Sequence, residues 1–322
     1  MAIILIITAI FMALNMGISG FSVSFAPSYG SGILNRNKAV LFYTISLIAG
    51  SCIVGPRVVE TLVDKISSAQ YTVFSGLIVL ISAAATMFLS NVWKVPQSTS
   101  LVTVASFVGR GLFYRNVNWG TIGRILAFAA VFSLISFALT VLIKRKFYPP
   151  HTSNLRFYEK FFVHREKFKK FIIATDIYSG FGIGTNNVAN VVAPLSGALA
   201  PAGILWFLVV SPFFGLGAYI GGERVIRSFS REIVPVGEFS AAIISLVTVT
   251  FVLAASCLGL PAPYVQFTTF SLLGISCVKD GLKGTAGKPV VRRILWVWVI
   301  VPLFAALLSL AMHWGLGKVA AI

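Results

Sequence analysis

Carboxylates are what this chain has least of. Nine Asp and Glu residues are spread over 322 positions, and only Asp176 lies well inside an apolar run. That scarcity excludes chemistry by paired carboxylates. The three cysteines, Cys52, Cys257 and Cys277, sit in or at the edge of apolar segments at no paired spacing, which excludes a disulfide framework and a cysteine metal site. The three histidines, His151, His164 and His313, are scattered and read as bystanders. No glycine-rich loop followed by Lys is present to cradle a phosphate. A membrane-embedded enzyme is left without its parts, and neither a metal nor a cofactor is expected.

What is there is apolar surface. Hydrophobic residues make up 57% of the chain, charged residues 11%, and the mean hydropathy is +0.91. These values define a polytopic, all-α membrane protein. A net charge of +17 would suit nucleic acid, but the basic residues lie between apolar segments and form no continuous face. Membrane topology accounts for them better. No basic residue precedes the first apolar run, so that run is expected to span the bilayer and not to be a cleaved signal peptide.

Apolar segments run at about 2–33, 39–55, 69–93, 97–114 and 122–143, and again at about 171–200, 203–221, 238–258, 262–278 and 294–314. The second set repeats the first. A shift of 167 positions lays Gly17 on Gly184, Ala26-Pro27 on Ala193-Pro194, Gly30 on Gly197, Gly55 on Gly222, Arg57 on Arg224 and Val58 on Val225. With a small slip, Pro96 falls on Pro261, Gly109 on Gly274, and Arg124-Ile125-Leu126 on Arg293-Ile294-Leu295. Such collinear order of Gly, Pro and Arg marks an internal duplication. It divides the chain into a first repeat, 1–143, a basic linker, 144–170, and a second repeat, 171–322. An odd number of crossings per repeat, five being the simplest, puts the copies in opposite orientations. The expected fold is therefore two inverted-topology repeats of about five membrane segments each, with broken or re-entrant helices. The segments near 97 and 262, each opened by a proline, are the shorter ones and suit either full or re-entrant passage.

Charge fixes an orientation. The linker from Lys144 to Lys170 carries nine basic residues against Glu159 and Glu166, and so belongs to the cytoplasm. Both termini then lie outside, in a plasma membrane. Twenty basic residues fall inside, Lys94 among them, and six outside: Arg57, Lys65, Arg110, Arg115, Arg124 and Lys318. Arg110 and Arg115 run against the bias. Within the linker, 157–171 interleaves aromatics with lysines, as either an amphipathic surface helix or a solvated connector would.

The polar residues that a spanning helix has no solvent reason to carry point to a site. Thr185, Asn186, Asn187 and Asn190 follow Gly182 and Gly184 and precede Pro194, so the helix is expected to break here and bind something in the break. A kinked helix glued to its neighbour by amides is the plainer alternative. Ser98, Thr99 and Ser100, after Pro96 and Gln97, suit a helix N-terminus aimed at an anion, although such hydroxyls also cap ordinary helices. Their counterpart after Pro261 keeps only Gln266, with Thr268 and Thr269 further on. Ser19, Gly20 and Ser22 occupy the first copy of the amide stretch. Asp176 is a candidate proton carrier, because burying it costs ~2.5–3.5 kcal/mol; a structural carboxylate held by Thr175 or Tyr178 is the equal alternative. Glu238 is the runner-up, though a carboxylate at a helix start needs no function.

These stretches resemble the inorganic phosphate transporter (PiT) family. Gly184 to Asn190 resembles its G-A-N-D-V-A-N motif, and Pro96 to Ser100 its P-x-S-T-[ST]-[HQ] motif. Further likeness lies in Gly222-Glu223-Arg224-Val225-Ile226 and in Val290-Val291-Arg292-Arg293-Ile294-Leu295, so the resemblance covers both halves. It departs at the aspartates. Where the family motif has Asn-Asp, this chain has Ser19-Gly20 in one copy and Asn186-Asn187 in the other. Phosphate near neutral pH still carries a proton that needs an acceptor, whereas sulfate only accepts hydrogen bonds. The pattern, with Tyr29-Gly30-Ser31-Gly32 downstream, is similar to the sulfate permease (CysP-type) branch. The resemblance implies a secondary active importer of an inorganic oxyanion, sulfate foremost, by proton symport. A phosphate:cation symporter and a passive anion channel remain the alternatives. Sulfate or a related oxyanion, protons rather than sodium, the lipid bilayer and a second copy in a homodimer are the partners expected.

Overall fold

In the computed structural model the described residues, 1–92, 97–147, 155, 159, 163–199, 203–229 and 238–320, form helices and no strand. In chain order these are α1 (Ala2–Ser24), α2 (Ala26–Gly30), α3 (Arg36–Glu60), α4 (Val73–Val92), α5 (Thr99–Phe113) and α6 (Trp119–Phe147). The second half contributes α7 (Arg165–Ile183), α8 (Ala189–Leu199), α9 (Ile204–Phe229), α10 (Glu238–Cys257), α11 (Tyr264–Ala286) and α12 (Pro289–Ala320). Every apolar segment read from the sequence is a helix. Seven helical spans are long and apolar enough to cross a membrane, while α5 is shorter, about 22 Å at ~1.5 Å per residue. Linker residues 148–154, 156–158 and 160–162 lie outside the described residues, as do Pro96 and Lys94.

Local chemistry sets the helix ends. Asn35 caps α3 by accepting from Lys38 N (3.0 Å), Ser98 caps α5 through Leu101 N (3.3 Å), and Asn118 caps α6 through Thr121 N (3.1 Å). Chain reversal after α10 needs a left-handed residue, supplied by Gly259 (φ 73°).

Glycines then let helices lie backbone on backbone. Gly17 of α1 faces the Phe214 carbonyl of α9, and Gly217 of α9 faces the Leu14 carbonyl of α1; a Cβ on either would overlap the opposing oxygen. Gly184 and Gly50 make the same two contacts, with the carbonyls of Leu47 in α3 and Phe181 in α7. The two pairs are one pair moved along the sequence: a shift of 167 carries Gly17 to Gly184, Leu47 to Phe214, Leu14 to Phe181 and Gly50 to Gly217. Further along, Gly109 faces the Ala306 carbonyl of α12, and Gly274 faces the Phe137 carbonyl of α6. Gly109 and Gly274 correspond under the shift of 165 that aligns Pro96 with Pro261, and Phe137 and Ala306 under the shift of 169 that aligns Arg124 with Arg293.

The amide stretch is not broken, contrary to the sequence expectation. From Arg165 to Leu199 the chain stays helical, passing through a single π-helical turn at Gly184–Val188, with Pro194 inside α8. One widened turn absorbs the disruption, and Gly184 is used for close approach to Leu47 instead of for a break. In the first copy the helix does yield: Phe25 (φ −107°, ψ 6°) separates α1 from α2.

Four of these helices pair as two helical hairpins. α4 starts against the end of α8, with Gly76 beside the Pro194 carbonyl, and α5 returns along it: Gln97 Nε2 donates to Met87 O (3.3 Å). At the hairpin's base Arg110 is fully buried, donating to Ser75 Oγ (2.7 Å), Ala69 O (2.6 Å) and Gln70 O (3.0 Å) over the Tyr71 ring. Arg110 is therefore not the outside loop charge the sequence tally made it. α10 instead starts beside the other end of the amide helix and runs along α7, with Thr250 near Tyr178 and Ser256 near Thr185. From there α11 heads back. Both hairpin tips meet the middle of the amide helix, at Asn186.

Candidate functional site

Asn186 is the point where the tips meet. Its Nδ2 donates to Ser100 Oγ of α5 (2.7 Å) and to Ala262 O just before α11 (2.9 Å), and its Oδ1 accepts from Ala262 N (2.9 Å). Asn187 Oδ1 is a third acceptor for the same nitrogen, at 3.2 Å. Asn190, one turn on, donates to Ser100 Oγ (3.1 Å) and keeps its Oδ1 without a partner among the described residues. Ser100 Oγ thus receives two N–H donors. Thr185 closes the cluster by bonding Ser256 Oγ at 2.9 Å.

This arrangement collects positive potential without a cation. The first turns of α5 and α11 begin here; Leu101 N is taken by Ser98 Oγ, Tyr264 N by Ala262 O and Gln266 N by Pro263 O, while Thr99, Ser100 and Val265 lead with N–H groups that have no partner within their own helices. Each N-terminus carries about half an elementary charge. Asn186 and Asn190 are fully buried, Ser100 almost so, and Asn187 keeps a slight opening. Asn187, Ser100 and the helix ends offer donors and no carboxylate, a combination that fits an anion with no proton to give away.

Several expected residues are elsewhere. Ser98 spends its oxygen on Leu101 N as the cap of α5, and Thr99 opens that helix. Ser19 donates to Met16 O (3.1 Å) in its own helix. Ser22 donates to Ile18 O (2.6 Å) and Gly222 O (3.1 Å), which ties it to α9 and not to Asn186. Gly20 lies against the Tyr43 hydroxyl, 2.6 Å from where a Cβ would stand. Gln266 is buried one turn into α11 but makes no hydrogen bond to Asn186. Glu238 opens α10, and its side chain lies outside the described residues.

Asp176 stands apart from the cluster. It is fully buried, its Oδ2 accepts from Ser28 N (2.9 Å), and its Oδ1 has no partner among the described residues. The holder is α2, not Thr175, which bonds Phe171 O (3.0 Å), nor Tyr178, which meets Thr250 (3.2 Å). Hydroxyls of Ser28, Ser179 and Tyr264 are likewise buried without partners. Sequence reasoning missed Ala262, Ser256 and Ser28. Ala262 contributes backbone alone, and single serines in apolar runs give no signal.

Among the described residues, helices without strands, seven spans of membrane length and a polar cluster buried where two hairpin tips converge define a multi-pass membrane transporter. The chain belongs to the phosphate transporter family, whose model matches residues 16–309. It is 30% identical over 314 residues to the sulfate permease CysP of Bacillus subtilis, covering 94% of this chain and 85% of that protein. It is 24% identical over 304 residues to a putative phosphate permease of Methanocaldococcus jannaschii, covering 94% of each. A solved structure described as the sodium-dependent phosphate transporter shares the fold, with a TM-score of 0.80, 21% identity and 99% of each chain covered. These relatives are permeases and transporters, not enzymes.

Proposed function

We propose that this protein imports an inorganic oxyanion, sulfate foremost, across the plasma membrane in symport with protons. The observation that carries this is the neutral, carboxylate-free character of the Asn186, Asn187 and Ser100 cluster, with Ser19-Gly20 and Asn186-Asn187 where the family motif has Asn-Asp. Sulfate binding is further supported by the likeness to the B. subtilis sulfate permease. Phosphate is the second reading, favoured by the name of the M. jannaschii relative.

Two helix N-termini offset about one of the two charges of sulfate. A dianion entering against an inside-negative potential meets about 4.6 kcal/mol per 100 mV, at ~2.3 kcal/mol per charge. Accumulation needs cations. Sodium prefers oxygen ligands that the missing motif aspartates no longer supply, whereas Asp176 is a titratable group ~12 Å along the helix from Gly184. Glu238 is the reserve candidate. A passive channel would need neither.

The halves 1–143 and 171–322 act, in this proposal, as inverted repeats joined by the cytoplasmic linker 144–170, with both termini outside. The reciprocal glycine contacts and the opposed hairpins support that arrangement. Homodimeric assembly is open to cross-linking in the membrane. The deciding experiment is uptake of labelled sulfate and labelled phosphate into proteoliposomes under imposed proton or sodium gradients. Sulfate accumulation that follows the pH gradient is expected; phosphate competing equally, or uptake that ignores pH and follows sodium, would overturn it.

A further inference from the structure

We propose that Arg57 is a positioning residue for the oxyanion site, acting through the tip of the second hairpin. The inference rests on reading the Asn186 cluster as the substrate site. α10 ends at Cys257, whose side chain is exposed, one residue after the buried serine that meets Thr185. A helix ending there leaves its last carbonyls without intrahelical partners and directs about half a negative charge towards the place where a dianion would bind. The reversal satisfies some of them: Leu258 N donates to Ala254 O (3.2 Å), Gly259 N to Ser256 O (2.9 Å) and Leu260 N to Ala255 O (2.8 Å). The Cys257 carbonyl is taken by Arg57, whose Nη1 donates to it at 2.8 Å.

The backbone of the tip also rests on α3. A Cβ on Gly259 would stand 2.9 Å from Arg57 O and 3.1 Å from Thr61 Oγ1, so glycine alone allows this seat. Glu60, three residues beyond Arg57, is engaged by Lys65 (3.0 Å) and does not claim the guanidinium. The tip is thus held on two sides: Arg57 fixes Cys257, and Asn186 fixes Ala262. Releasing Arg57 frees the segment whose other end supplies the N–H and carbonyl that orient Asn186. It also leaves the negative end of α10 unopposed beside the anion.

The test uses the full-length protein with Cys52→Ala and Cys277→Ala, leaving Cys257, which is exposed, as a reporter of the tip. Maleimide labelling of Cys257 in detergent and the concentration dependence of sulfate uptake in proteoliposomes are measured for Arg57→Gln and Arg57→Lys. Arg57→Gln is expected to label about fivefold faster and to raise the sulfate KM about tenfold, with the maximal rate within about threefold; Arg57→Lys should recover most of both. Gly259→Ala, which pushes the tip off α3 with Arg57 intact, should reproduce both effects and serves if Arg57→Gln fails to fold. Labelling at the parent rate would overturn the clamp. Faster labelling with an unchanged KM would separate the tip from the site, and a Lys variant as impaired as Gln would remove the charge from the argument. Absence of sulfate uptake by the parent protein would sink the functional reading instead, and the labelling rates would still decide the clamp.

Discussion

Asn187 sits one residue from the amide that joins both hairpin tips, with Oδ1 engaged by Asn186 and a slight opening around it. Converting it to Asp keeps size and shape while setting a negative charge beside the proposed dianion. Sulfate uptake by Asn187→Asp should fall at least about tenfold, since a like charge close by in a low-dielectric site costs more than ~1.4 kcal/mol. Retained uptake would put the substrate elsewhere. Gly20→Asp is a poorer probe, because its Cβ would meet the Tyr43 hydroxyl and any loss would mix packing with charge. Asp176 calls for a different measurement. With one oxygen on Ser28 N and the other unpaired, Asp176→Asn preserves the first contact and removes the proton site. It should abolish gradient-driven accumulation while sulfate exchange across the membrane continues; normal proton-driven accumulation would clear Asp176 of the role.

At the scale of elements, close helix packing here depends on glycine more than on side-chain interdigitation. Gly17 and Gly184 each face a carbonyl oxygen with no room for a methyl group, and the neighbour is backbone, which cannot swing aside. Gly17→Ala and Gly184→Ala should each lower stability by about 1–3 kcal/mol, read as an earlier thermal melting transition in detergent. By contrast Gly123, with open space around it, should tolerate Ala with no such change. An equal response at all three positions would mean that glycine contributes through helix propensity and not through close approach. The proposed duplication was legible in the order of these glycines. Their partners were not, because each glycine meets a carbonyl that any residue type presents, and Phe214 and Leu47 share no side-chain signature.

For the whole molecule, the proposed arrangement makes a labelling prediction. Cysteines introduced near Lys167, at the start of α7, should react with impermeant reagent from the cytoplasm, and those at the N-terminus and near Lys318 from outside. Termini on opposite faces would contradict the inverted repeats. Crossing numbers were not legible in the sequence: α4 and α10 are as apolar and as long as spanning helices, and hydropathy alone does not tell a passage from an entry that turns back. Charge gave a hint. Arg110 and Arg115 ran against the bias, and Arg110 proves to be buried at the base of the first hairpin.

Sequence by itself determined the helical membrane class and roughly where the helices lie, and it pointed to a duplication and to the amide stretch as the place to look. Each of these follows from local composition: apolar runs demand helices in a bilayer, and amides inside one demand partners. Only the tertiary structure decided that Asn186 binds Ser100 and Ala262, that Ser22 turns to Gly222, and that Ser28 is what holds Asp176. Those partners lie 76 to 200 positions apart. Their meeting depends on where two hairpins reverse and how closely glycine lets α3, α7 and α9 approach, which no residue's own chemistry specifies.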